Sequence, residues 1–184
     1  MSSDTQNKKQ RKPLTVYEIS VFSMLGAIMY CSKIILEWAP NIHLLGMFIM
    51  AFTLYYRKKA LIPIYIFVMI TGVLNGFNGW WIPYLYIWAV LWGATMLLPK
   101  NMPEKVAVFV YAIVCSLHGF LYGILYAPAQ AIMFGLDFKQ MIAWLGAGAL
   151  FDTMHGFGNL AAGFLVIPMV KLLKKIDKIQ FNKQ

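Results

Sequence analysis

Apolar residues fall along this chain in six long runs, and polar residues are held to the gaps between them. The runs cover about residues 14–36, 42–56, 60–76, a stretch ending at Leu98, 106–126 and 141–172. An apolar run of about 20 residues is long enough for a helix to cross a bilayer. The pattern predicts an all-α fold, a six-helix integral membrane bundle spanning residues 14–173. Basic tails at 1–13 and 174–184 flank it.

The runs are not equal. The first carries Glu18 and Lys33 close to its two ends, where each side chain can snorkel to an interface. The gap after it contains Pro40, which a helix interior does not accommodate. The second run, Ile42 to Tyr56, is short for a full span, so it is expected to be tilted or sunk in the protein. In the third, Pro63 sits in the first turn, where its missing N–H is harmless. The mixed stretch Ala127 to Gln140 is expected to dip into the interface or cap a cavity. The last run would reach about 47 Å as one rod against a bilayer core of about 30 Å, so it must project or bend.

Composition supports the membrane reading. Hydrophobic residues make up 60%, charged residues 12%, and mean hydropathy is +0.65, whereas soluble domains carry about 25% charged residues. The net charge of +9 does not point to nucleic acid, because the basic residues cluster in short groups between apolar runs. Groups at 8–12, 57–59, 100–105 and 171–183 hold fourteen of the 16 Lys and Arg, and all fall on one side of a six-span chain. Only Lys33 and Lys139 fall on the other. The positive-inside rule then places both termini in the cytoplasm, and the basic groups suit anionic lipid. Cys31 and Cys115 lie in apolar runs and imply no disulfide framework. The first apolar run, long and without a small-residue cleavage site, is read as a retained span rather than a signal peptide.

Candidate chemistry concentrates late in the chain. Asp152, His155 and Asn159, at i, i+3 and i+7, share one stripe of the last span. Ionisable groups within a membrane are costly and mark function or a specific pairing. The outer side of the predicted topology gathers Trp38, Asn41, His43, Asn75, Asn78, Trp80, Trp81, Tyr84, Tyr122, Tyr126, Gln130 and Trp144. Flat aromatics with amides and few charges suit a ring-shaped polar solute. Interfacial anchoring is the plainer reading of Trp80 and Trp81, and a hydrogen-bonded core histidine that of His118. The chain carries no phosphate-binding loop, zinc-protease motif, nucleophile elbow or zinc-spaced Cys and His cluster. No cofactor and no metal is therefore expected. Asp152 and His155 still allow an intramembrane acid–base couple, and membrane Asp and His also suit an autonomous proton-coupled carrier or channel.

Several features resemble those of the substrate-binding S components of energy-coupling factor vitamin transporters. They are six spans with both termini inside, a short second span opening at Asn41 to Leu45, the run Trp80 to Tyr86, and the stretch Phe151 to Asn159. The resemblance covers about Tyr17 to Leu173. It implies a non-enzymatic, multi-pass subunit of a bacterial cell membrane, of the kind found in Gram-positive organisms. Such a subunit captures a water-soluble vitamin or precursor from outside and passes it on through a transmembrane scaffold subunit and two ATP-binding-cassette ATPases. It also implies a docking face on the first helix, where the family's Ala-x-x-x-Ala strip is replaced by Ser23, Ala27 and Cys31. Thiamine-like, pterin-like, deazaguanine-like and corrinoid ligands all remain open, since kinship at the level of the fold does not name a ligand.

Overall fold

The structure is a computed structural model that describes residues 13–39 and 41–181. Pro40, the basic residues at 8–12 and Lys183 lie outside the described residues. All regular structure among the described residues is helical: α1 (Val16–Ile35), α2 (Leu45–Tyr56), α3 (Leu61–Asn75), α4 (Tyr84–Leu97), α5 (Glu104–Phe120), α6 (Tyr122–Phe134), α7 (Phe138–Gly163) and α8 (Val166–Phe181). Short 3-10 turns occupy Arg57–Ala60 and Gly79–Trp81.

Local chemistry sets several boundaries. Thr15 caps α1 in a capping box with Glu18, each side chain taking the other's backbone N–H. Asp137 and Gln140 do the same for α7. Gly135, at φ +62°, ends α6 in the left-handed conformation that glycine adopts freely. α6 carries helix well into the mixed stretch 127–140, through Pro128.

Three helical stretches are long and apolar enough to cross a membrane: Val16–Ile35, Leu45–Asn75 and Glu104–Phe134. A fourth joins Phe138–Gly163 to Val166–Lys178 across a 47° bend, the break expected of so long a last run. The stretch Leu45–Asn75 is two rods rather than one. Glu18, in the first turn of α1, pairs with Lys59 just before α3, and Tyr30, further along α1, donates to Asn75 at the end of α3 over 3.1 Å. Hence α1 and α3 run in the same direction. Between them, α2 runs back: Tyr56 at its end packs on Phe22 of α1, and His43 just before its start borders a cavity with Lys33. The chain reverses at Arg57, a non-glycine residue with φ +56°.

The same reasoning makes six alternating rods of α1, α2, α3, α4, α5 with α6, and α7 with α8. One end of the bundle gathers the start of α1, the Arg57–Ala60 turn, the end of α4, the start of α5 and the later part of α8. Arg57 donates to the Met96 carbonyl, Tyr17 and Tyr55 both donate to Asp177, and Lys171 pairs with Glu104 over 2.6 Å. The basic groups at 57–59, 100–105 and 171–178 thus share that end.

At the centre stands α2, buried without interruption from Leu45 to Thr53. A helix apolar on every face belongs inside a larger assembly, and the shortness of the second run follows from this position. Buried Thr53, Thr71 and Thr95 each return a hydroxyl to the carbonyl four residues earlier, so α2, α3 and α4 carry no unpaired threonine. The closest helix pair is α5 with α7. A Cβ at Gly119 would fall on the His155 backbone, and one at Gly163 on the Ala112 backbone. Small residues allow this approach, and Ser116 joins the two helices by donating to the Gly156 carbonyl over 3.0 Å.

Candidate functional site

Two cavities open at the end of the bundle opposite the basic groups. The first, about 180 Å³, is bordered by Lys33, Leu36, Glu37, Ala39, Asn41, Ile42, His43, Tyr84, Tyr122 and His155. The second, about 250 Å³, is bordered by Asn41, Tyr122, Gly123, Tyr126, Trp144, Leu145, Gly148, Phe151, Asp152 and His155. Asn41, Tyr122 and His155 belong to both. They stand where the two chambers adjoin, the neck of the site.

Helix geometry sets these residues in place. Trp144, Gly148 and Asp152 lie four apart on α7 and face one chamber together. Gly123 makes room for Asp152, since a Cβ there would meet the carboxylate. Its N–H instead donates to Asp152 Oδ1 over 3.1 Å. Tyr126 lies nearly parallel to Trp144, with ring centroids 5.9 Å apart, and forms a flat aromatic wall. Asn41 holds φ +58° at the neck, a left-handed conformation that asparagine tolerates better than most residues.

Below and beside the neck lies a group of polar side chains without partners. His155 is 3% exposed, and its ring is 4.5 Å from that of His43 and 4.7 Å from that of Tyr122. Among the described residues, His43 Nδ1, His155 Nε2, Trp88 Nε1 and both side-chain atoms of Asn159 are buried with no hydrogen-bond partner. A buried polar atom left unpaired costs about 1–3 kcal/mol. Of these, His43 and His155 border the chambers, where a polar ligand could satisfy them, while Trp88 and Asn159 lie in the core beneath.

The sequence candidates divide clearly. Asn41, His43, Tyr84, Tyr122, Tyr126, Asp152 and His155 line the chambers. Asn159 lies deeper, between Gly46 of α2 and α5, and borders neither chamber. Trp80 meets Tyr84 edge-on at 5.5 Å, and its carbonyl accepts from Tyr126, so it supports the wall from behind. Trp81 donates to the Val68 carbonyl over 2.8 Å and packs on Phe77, which fixes the loop after α3. Asn75 accepts from Tyr30, while Asn78 is exposed and its carbonyl takes the Trp81 N–H. Trp38, 81% exposed, stands outside both chambers. His118 Nε2 lies 3.1 Å from the Ile87 carbonyl in the core beside Trp88. Asp152 and His155 make no hydrogen bond to each other; the carboxylate turns to Gly123. Among the described residues, no three His, Cys, Asp or Glu converge as metal ligands.

Sequence reasoning did not single out Lys33, Glu37 or Phe151 for the site, whereas Trp144 stood among the outer-side residues. The four-residue spacing of Trp144 and Asp152 through Gly148 was a usable signal. Lys33 had a plain interfacial explanation, and nothing local shows that α1 turns it toward a cavity. Ser23, Ala27 and Cys31 form an exposed strip along α1. No protein-family model, curated protein or solved structure matches the chain.

Proposed function

We propose that the chain is the substrate-capture subunit of an energy-coupling factor type importer. In this reading it spans the cell membrane six times with both termini in the cytoplasm. It takes a small, water-soluble ring compound of the vitamin or vitamin-precursor class from outside, and delivers it by joining a transmembrane scaffold subunit and two ATP-binding-cassette ATPases. The observation that carries the reading is the pair of chambers sharing Asn41, Tyr122 and His155 at the end of the bundle away from the basic groups. By the positive-inside rule that end faces outward. Aromatic walls with a few convergent polar atoms are the usual make-up of a small-molecule site, and the chamber volumes favour one or two fused rings over a corrinoid. The exposed Ser23, Ala27 and Cys31 strip leaves a flat face on α1 for the scaffold subunit.

An autonomous proton-coupled carrier is the second reading, and the contact between His43 and His155 favours it. An enzyme using Asp152 and His155 is less well supported, because the carboxylate is bonded to Gly123. Native mass spectrometry of the chain purified without added ligand separates the first two. One organic molecule bound per chain is expected. An empty protein that by itself moves solute or protons across liposomes overturns the proposal.

A further inference from the structure

The two chambers differ in charge, and this bears on the shape of what they bind. The second holds a single ionisable carboxylate, Asp152, beside the Tyr126 and Trp144 wall. One of its oxygens accepts from Gly123, and the other has no hydrogen bond among the described residues. The first chamber holds Lys33, half-buried, with no ion pair to Glu37, Asp152 or any other described residue. His155 Nε2 at the neck and His43 Nδ1 beside it are both buried, with no hydrogen-bond partner among the described residues. A chain of unsatisfied groups therefore runs from an acid, past two imidazoles, to a base.

Resting on the capture reading above, we infer that the two chambers are halves of one site for an elongated, bipolar ligand. Its flat ring, cationic or rich in N–H donors, lies against Tyr126, Trp144 and Asp152. Its arm passes the neck and ends in an anionic group, a carboxylate or phosphate, at Lys33. A ring edge that donates satisfies the free Asp152 oxygen, and polar atoms on the arm take up the histidine nitrogens. Glu37 shares the first chamber and opposes the anion, but it is exposed on the rim, where water and salt screen it. Lys33 is the more buried of the two, so the local balance favours negative charge.

The test is equilibrium binding to the full chain in detergent with matched probe pairs: pyridoxamine against pyridoxamine phosphate, and pterin against its carboxylate. The anionic member of at least one pair is expected to bind about tenfold tighter than its armless partner. Lys33→Gln should erase that difference. Asp152→Asn should weaken both members alike, with the thermal midpoint of the empty protein kept as a control for folding. Binding of armless and anionic rings with equal affinity, or an equal loss of both on Lys33→Gln, overturns the bipolar site and leaves the capture reading standing. Failure of every probe to bind a protein that native mass spectrometry also finds without any organic ligand overturns both.

Discussion

At the basic end of the bundle Asp177 accepts from Tyr17 of α1 and Tyr55 of α2, Glu18 answers Lys59, and Glu104 answers Lys171. At the opposite end His43, His155 and the deeper Asn159 present buried polar atoms that have no hydrogen-bond partner among the described residues. Both ends are built from the same rods. In one, side chains from separate helices close on each other and fix the helix ends. In the other they are held apart by tight backbone packing elsewhere, chiefly where α5 meets α7 at Gly119 and Gly163. Rigid packing beneath a cavity is what lets unpaired groups persist, because the walls cannot collapse to pair them.

The contrast depends on that packing, so the largest effect is expected there. Gly119→Leu puts a side chain onto the His155 backbone, which has no flexible end to give way. It should cost about 3 kcal/mol or more, read as a lowered midpoint in unfolding from mixed micelles by sodium dodecyl sulfate. Unchanged stability would mean that α5 and α7 do not approach so closely.

A pair of substitutions tests the two ends directly, and their signs should be opposite. Asp177→Ala removes the shared acceptor of Tyr17 and Tyr55 and should lower stability by about 2 kcal/mol. Asn159→Leu keeps the branched shape while removing two unpartnered buried atoms, and should raise the stability of the empty protein by about 1 kcal/mol. A loss of stability on Asn159→Leu would show that Asn159 is satisfied after all, and the difference between the ends would disappear.

The smallest effect belongs to the exposed ion pair. The Glu104 and Lys171 side chains are 62% and 60% exposed. Glu104→Gln should therefore change stability by less than about 0.5 kcal/mol, and by nothing measurable in high salt. A larger change would indicate that α8 is held in place by charge rather than by burial of residues such as Leu173.

Much of the architecture was legible along the chain. The apolar runs gave helices at the expected places, the bend in the last run followed from its length, and the short second run proved to be the buried central helix. Half of the candidate site was legible too. Asp152 and His155 were recognised because ionisable groups in an apolar helix stand out. Trp38 and Asn78 were grouped with them by predicted side alone, and the structure sets both apart from the chambers. Side of the membrane is a coarse coordinate; it does not say which residues on that side face inward.

The sequence by itself determined the helical class, the runs and the gathering of basic residues, because periodicity, length and local charge act within a few turns of chain. Only the tertiary structure decided that Lys33 turns into a chamber, that Trp88 lies beside His43, and that Asp152 answers Gly123 rather than His155. Those outcomes depend on how helices rotate against one another. That rotation is set by glycine contacts between α5 and α7 and by the burial of α2, which join residues far apart in the chain.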